Sequence, residues 1–334
     1  MNGNGAAPLL EVEGLVTHYP VPRGIASVVR RRPKLRVHAV DGVSFMLRRG
    51  EMLALVGESG CGKTTTAQSV LRLVESQGGA IRFAGEDIVP LRHRDLRPLR
   101  RRMQIIYQDP YESLDPRFRV GAAVEEPLVI HGVGSRSERR EEVARALEAA
   151  GLTPAELFVD RFPHELSGGQ RQRVAIAASL VLHPELLVAD EPVSMLDVSV
   201  RAGILGILDG LRNEGLGILM ITHDLSTAAR FADRIAVMYL GRIVEEGPAH
   251  DVVHNPQHPY TRALLSVVPN RDPREKSVPQ ILRGETPDAV RIPRGCRFHP
   301  RCPIAIPDCK EVDPELRPPA AARSSQHQAA CIRA

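Results

Sequence analysis

The stretch Gly57-Glu58-Ser59-Gly60-Cys61-Gly62-Lys63-Thr64 leaves this chain little freedom in what it folds into. It fits the pattern G-x-x-x-x-G-K-[ST], a phosphate-binding loop that works between a strand and a helix. The context agrees: an apolar run ending in Leu55-Val56 precedes it, and the periodic stretch Thr64–Val74 follows as an expected helix. Glycines let the backbone wrap closely, so successive N–H groups face phosphate oxygens. The start of the helix adds its positive end. Lys63 supplies a mobile point charge for the β- and γ-phosphates. Thr64 offers a hydroxyl to Mg²⁺. The expected nucleotide contacts are Gly57, Ser59, Gly60, Cys61, Gly62, Lys63, Thr64 and Thr65, with Cys61 a small filler of the loop. Of 44 Lys and Arg only four are Lys, the others being Lys34, Lys276 and Lys310. A lysine kept in so arginine-rich a chain stands where a planar guanidinium fits poorly between phosphates.

Residues 9–18 and 39–56 read as strand-rich. Between them Pro20–Arg36, with Arg30, Arg31, Arg32 and Arg36, lacks an apolar period and reads as an exposed insertion. Arg92–Arg102 holds six Arg and reads as a solvated helix face. Helices are expected over 135–150, ended by Gly151, over Gln170–Leu182 and near Val200–Asn213, with strands at Leu186–Ala189 and Gly217–Thr222. Strands alternating with helices imply an α/β fold with parallel strands.

The apolar run Leu186–Ala189 presents Asp190 at its carboxyl end. Asp190 suits Mg²⁺, directly or through water, and Glu191 is placed to polarise an attacking water as general base. Leu166-Ser167-Gly168-Gly169-Gln170 precedes a helix, and a Ser with two Gly at a helix N-terminus makes a second anion site. One nucleotide needs only one phosphate loop, so a second site suggests that phosphate is gripped from two sides.

With these residues in hand, the chain resembles the ATP-binding subunits of ABC transporters. LSGGQ is that family's signature. Gln108 in Ile106-Tyr107-Gln108-Asp109-Pro110 matches the glutamine loop. Ser194-Met195-Leu196-Asp197 matches the loop after the catalytic glutamate, with Met195 where Ala is usual, and His223 in Ile221-Thr222-His223-Asp224 matches the switch histidine. The resemblance implies an α/β, RecA-like P-loop ATPase core with an inserted helical subdomain at about 110–180 and antiparallel β structure at the N-terminal side. The core would span 1–253, and a small Pro- and Cys-rich extension 254–334. It also implies two cores packed head to tail, with Ser167, Gly169 and Gln170 of one clamping the γ-phosphate held by the loop of the other. Asp197 would cross that interface. His223 would contact the γ-phosphate and position Glu191 and water. Gln108 would reach Mg²⁺, together with Thr64 and Asp190, and report occupancy to a transmembrane partner. Tyr19 is the aromatic expected against adenine.

The extension narrows the resemblance. His258-Pro259-Tyr260-Thr261 is similar to the piece that follows the core in oligopeptide and dipeptide importers, although nickel importers and others of that group share it. Cys296, Cys302, Cys309 and Cys331 follow, and Cys302-Pro303 has a pairing often seen near cluster ligands. In that family such cysteines can ligate a [4Fe–4S] cluster; a tetrahedral Zn²⁺ and ordinary thiols stay open as alternatives. The expected function is the ATPase subunit of a peptide importer, with nickel or another small solute as the alternative cargo. The implied partners are a second ATPase subunit, a different chain by preference, two transmembrane permease subunits and, indirectly, an extracellular substrate-binding protein.

Other classes fit less well. A net charge of +4 gives no strong basic stripe, so nucleic acid is not an expected partner. Soluble translation factors of this type carry two cores per chain and repair ATPases carry long insertions, whereas one phosphate loop and one LSGGQ occur here. Intact Glu191 and His223 argue against a regulator that binds ATP without turnover. No apolar run approaches ~18 residues, the longest, Val174–Leu182, being interrupted by Ser179. Met1–Glu13 does not read as a secretory signal. The expected location is therefore the cytoplasmic face of the membrane, as a peripheral subunit.

Overall fold

Short apolar runs and amphipathic stretches alternate along the chain, and strands and helices alternate with them. The computed structural model describes residues 7–22, 35–109, 114–268, 280, 282, 284–319 and 324–334. In chain order the strands are β1 (Leu10–Pro20), β2 (Arg36–Leu47), β3 (Met52–Val56), β4 (Gly78–Phe83), β5 (Glu86–Asp87), β6 (Met103–Ile106), β7 (Leu186–Asp190), β8 (Gly217–Thr222), β9 (Arg234–Tyr239), β10 (Arg242–Pro248) and β11 (Gln328–Ala329). The helices are α1 (Lys63–Val70), α2 (His93–Arg102), α3 (Val120–His131), α4 (Arg136–Ala149), α5 (Glu156–Val159), α6 (Gly168–Leu180), α7 (Val198–Asn213), α8 (Leu225–Phe231), α9 (Ala249–His254) and α10 (Pro259–Ser266). None of the described helices is long and apolar enough to cross a membrane. The helix expected over Thr64–Val74 stops at Val70. Its apolar pattern continues through Leu73, but Arg72 takes a left-handed φ of 53° that no helix continues through. Of the expected insertion, residues 23–34, with Arg30, Arg31 and Arg32, lie outside the described residues.

The chain divides into two compact units, the first comprising 1–9, 47–52 and 90–221. Here β6, β7 and β8 run parallel, with Met103 opposite Leu186 and Leu186 opposite Gly217. Both β7 and β8 are buried at every position, and up to the terminal Asp190 and Thr222 their sequences are apolar runs rather than alternating ones. Helices α3, α4 and α6 pack on one another. A capping box opens α4: Glu138 N donates to Ser135 Oγ and Ser135 N to Glu138 Oε2. On α2 only Leu96 and Leu99 are buried, so its arginines form the solvated face that their number suggests.

The second unit comprises 10–46, 53–89 and 222–334. One sheet has the order β2-β1-β4-β5, with β1 antiparallel to β4 and Leu10 opposite Phe83. In the other, β3 runs parallel to β9, the tight β9–β10 pair is antiparallel, and the chain returns to add β11 to β10. A buried carboxylate fastens that return. Glu245, fully buried on β10, accepts hydrogen bonds from Gln257 N (2.7 Å), His258 N (2.8 Å) and His327 Nε2 (2.7 Å). His258 then caps α10, its Nδ1 accepting from Tyr260 N at 3.1 Å, with Pro259 at the first helical position. Tyr239, Tyr260 and Phe298 form an aromatic cluster with ring centroids 4.7–5.4 Å apart.

Candidate functional site

The phosphate loop of the second unit follows from a buried strand and two glycines that cannot be anything else. β3 ends at Val56, α1 begins at Lys63, and the loop turns between them. A Cβ on Gly57 would lie 2.2 Å from Met238 O, and one on Gly62 would lie 2.0 Å from Ala39 O at a φ of 109°. Only glycine fits either place. Lys63 is buried and folds back across the loop, its Nζ donating to Gly57 O (2.8 Å) and Glu58 O (3.0 Å). Ser59, Gly60 and Thr64 are exposed, and Thr65 is half-buried. Cys61 is buried against Gly57 and Lys63, and burial pushes its thiol up, in keeping with a packing role.

His223 of the same unit is exposed just past the end of β8. The next residue anchors it. Asp224 caps α8, accepting from Ser226 N (2.8 Å) and Thr227 Oγ1 (2.7 Å). Burial acts to raise the Asp224 carboxyl, but these hydrogen bonds more than offset it and hold the group low. Tyr19 lies near the end of β1 and is 36% exposed.

In the first unit, Asp190 is buried at the carboxyl end of β7. Glu191 follows with a φ of 46°, a left-handed conformation uncommon for a glutamate, pinned by its N–H donating to Ile221 O at 2.9 Å. Gln108 Nε2 donates to Glu191 Oε2 at 3.2 Å, so the fold joins residues 83 positions apart. Ser167 caps α6 through a second capping box: Gln170 N donates to Ser167 Oγ at 3.3 Å and Ser167 N to Gln170 Oε1 at 3.0 Å. A Cβ on Gly169 would lie 2.5 Å from Val200 Cγ1, so the signature turn packs against the start of α7. Asp197 is the exposed N-cap residue of that helix, between exposed Met195 and Val198.

The second unit also gathers Cys296, Cys302, Cys309 and Cys331 around one cavity lined by His258, Phe298 and Arg333 as well. Burial pushes the Cys296 thiol up to about 11 and raises that of Cys302, and the neighbouring sulfurs repel further negative charge. Without a positively charged centre the two therefore stay protonated. Arg333 N donates to Cys331 Sγ at 3.4 Å. Among the described residues no three of these sulfurs come within 4.8 Å of one another. A single tetrahedral Zn²⁺ with Zn–S bonds of ~2.3 Å needs sulfurs about 3.8 Å apart, closer than any three of these sulfurs stand.

Sequence reasoning passed over one contact at the loop. Glu58, a variable position of the pattern, is gripped by Arg301, and its N–H donates to Tyr260 Oη at 2.9 Å. Position 301 lies 243 residues away, and no local pattern signals such a pair.

The family described as "ABC transporter" matches residues 40–194, and that described as "Oligopeptide/dipeptide transporter, C-terminal region" matches residues 244–309. The dipeptide transport ATP-binding protein DppF of Haemophilus influenzae is 46% identical over 310 residues, covering 92% of this chain and 93% of that protein. The oligopeptide transport ATP-binding protein AppF of Bacillus subtilis is 44% identical over 313 residues, covering 92% and 93%. A dimeric ATP-binding cassette in a post-hydrolysis state, bound to ADP and Pi, superposes with a TM-score of 0.62 at 27% identity, covering 72% of this chain and 98% of that one. Phosphate loop, signature, fold and relatives agree, and the chain belongs to the ABC transporter ATP-binding subunits of the oligopeptide/dipeptide importer family.

Proposed function

We propose that this subunit powers uptake of oligopeptides or dipeptides by binding and hydrolysing ATP between two cores. Gly57, Ser59, Gly60, Cys61, Gly62, Thr64 and Thr65 cradle the phosphates, and Lys63 exchanges the carbonyls of Gly57 and Glu58 for β- and γ-phosphate oxygens. Tyr19 stacks on adenine. Thr64, Gln108 and Asp190 offer the oxygen donors that Mg²⁺ prefers, and the ion, when bound, neutralises charge on the transferring phosphoryl group. Glu191 takes the proton of the attacking water while His223 holds the γ-phosphate. Ser167, Gly169 and Gln170 of the partner core close over it, and Asp197 crosses the interface. The observation that carries this reading is the Gln108–Glu191 hydrogen bond at 3.2 Å, beside an Asp190 buried at a strand end. Replacing Glu191 by Gln keeps the side-chain shape and removes the base. ATP binding is expected to persist while turnover falls by about 10²–10⁴-fold; unchanged turnover overturns the assignment.

Peptide rather than nickel or another small solute as cargo is supported by the names of the relatives and by the match over residues 244–309. The working assembly is a heterodimer of ATPase subunits beneath two permease subunits, fed by an extracellular binding protein, with this chain peripheral on the cytoplasmic face. Residues 1–253 act as the ATPase core and 254–334 as the extension. Cys296, Cys302, Cys309 and Cys331 hold a [4Fe–4S] cluster. Four cysteines around one cavity, no three of their sulfurs within 4.8 Å of one another, and the N–H that donates to Cys331 Sγ support this reading. Iron and acid-labile sulfide in anaerobically purified protein test it; stoichiometric zinc without visible absorption overturns it.

A further inference from the structure

Glu58 places a carboxylate inside the loop that is to receive the most highly charged part of ATP. Left alone it would repel phosphate. Its carboxylate is taken up side-on by one guanidinium, Arg301 Nη1 donating to Oε2 at 2.8 Å and Nη2 to Oε1 at 3.1 Å. Thr286 Oγ1 donates to the same Oε2 at 2.7 Å, and Arg301 Nη1 also reaches Thr286 Oγ1 at 3.1 Å. The Arg301 side chain is only 8% exposed and sits over the Tyr239 ring at 5.9 Å. Burial alone would raise the Glu58 carboxyl; Arg301, Thr286 and the charge of Lys63 reverse that and hold it ionised. The Glu58 carbonyl accepts from Lys63 Nζ, so one residue links the arginine to the lysine. Tyr260, Thr286 and Arg301 all come from the C-terminal extension.

We propose that Arg301 is a positioning residue for the ATP site: it neutralises Glu58 and fixes the loop's first turn, so that the extension completes the phosphate site of its own chain. This rests on the reading that the loop binds ATP. A bidentate guanidinium–carboxylate pair fixes geometry as well as charge, which lysine at the same place reproduces only in part. The segment that carries Arg301 runs directly into Cys302, so the latch is built on the cysteine-bearing loop.

The test is equilibrium titration of the full-length chain with a fluorescent ATP analogue, alongside steady-state turnover. Arg301→Met leaves the Glu58 charge facing the incoming phosphates, and the dissociation constant is expected to rise about tenfold, the scale of one uncompensated charge near the protein surface. The KM for ATP should rise with it while kcat changes by less. Adding Glu58→Gln to Arg301→Met removes the stranded charge and should recover most of the affinity. The Arg301→Met penalty should also shrink in about 0.5 M salt, where the Debye length is only a few ångströms. A purely structural contact predicts the opposite order, with the double variant no better than the single one and no salt dependence, and that result overturns the proposal. Should Arg301→Met fail to fold, Arg301→Lys with and without Glu58→Gln decides it. There, an affinity equal to the parent's in Arg301→Lys, or no gain from Glu58→Gln, counts against the latch. Failure of the parent chain to bind the analogue refutes the phosphate-loop reading itself, whereas a binding parent with an unchanged Arg301→Met refutes the latch alone.

Discussion

Replacing Glu245 by Leu is the sharpest test of how the C-terminal extension is held. The carboxylate is fully buried and accepts from Gln257 N, His258 N and His327 Nε2, all of them buried as well. Leucine matches the volume approximately and strands three donors away from water. A stranded buried donor costs about 1–3 kcal/mol. Some relaxation follows, so a loss of about 3–5 kcal/mol is expected, the range found when one partner of a buried polar pair is removed. At about 2–4 °C per kcal/mol for a domain of this size, the melting temperature should fall by about 10 °C. Glu245→Gln keeps the shape and one acceptor oxygen, so it should lose less than half as much. Thermal melts followed by far-UV circular dichroism read the shift, and limited proteolysis reads whether residues beyond 254 loosen first. A Leu variant that melts within about 2 °C of the parent would refute the argument, because the three hydrogen bonds would then contribute no net stability.

Two further tests bear on the loop and on pH. Gly62→Ala forces a Cβ to within 2.0 Å of Ala39 O at a φ of 109°; nucleotide affinity should drop by more than about tenfold, with a stability loss of roughly 2–4 kcal/mol, and normal binding of a fluorescent ATP analogue would contradict the loop geometry. His258 is depressed from 6.5 to about 4, chiefly by burial and with a small push from Arg262, against the opposing pull of Glu245. Its Nδ1 must stay unprotonated to accept from Tyr260 N. The unfolded chain therefore binds a proton between pH 6.5 and about 4 that the folded chain refuses, so the stability is complete above pH 6.5 and is lost as pH falls towards 4. Chemical denaturation at pH 7 and pH 5 should differ by about 2 kcal/mol from this group. Asn at 258 keeps an acceptor for the cap and should flatten that slope; an unchanged slope would assign the acid loss elsewhere.

The phosphate loop, the signature and the Asp190–Glu191 strand end were legible in the sequence because each demands particular residue types at fixed local spacing. Gly57 and Gly62 are dictated by backbone atoms within 2.2 Å of where a side chain would start, and such positions declare themselves as glycine. Lys63 stood out because arginine replaces lysine almost everywhere else. Helix ends were less legible. Apolar periodicity runs on past Val70, and only the left-handed Arg72 ends α1. Least legible were the buried charges. Glu245 is fully buried and Glu246 is 7% exposed, against His327 and Arg234 respectively, and nothing in the sequence around them marks either. Their partners lie 82 and 12 residues away, and no periodic pattern encodes pairs of that kind. The Glu58–Arg301 pair failed to appear for the same reason.

These long-range pairs change what a deletion of the extension can show. Removing residues 254–334 looks like a way to ask whether that piece serves cargo or permease. It would also take Arg301, Thr286 and Tyr260 from Glu58, and His327 from Glu245. Arg297, which donates to Leu240 O at 2.7 Å and pairs with Asp41, would go as well. The truncated chain would thus lose nucleotide affinity and stability before any transport step is reached, and lost uptake would say nothing about cargo. Serine at Cys302 and Cys331 leaves Arg297, Arg301 and His327 in place. If uptake falls in those variants while ATP affinity and melting temperature hold, the cysteine cavity serves transport separately from the phosphate site. If affinity falls in step with uptake, the cavity acts through the Arg301–Glu58 pair, because Arg301 adjoins Cys302 in the chain and its guanidinium grips the loop.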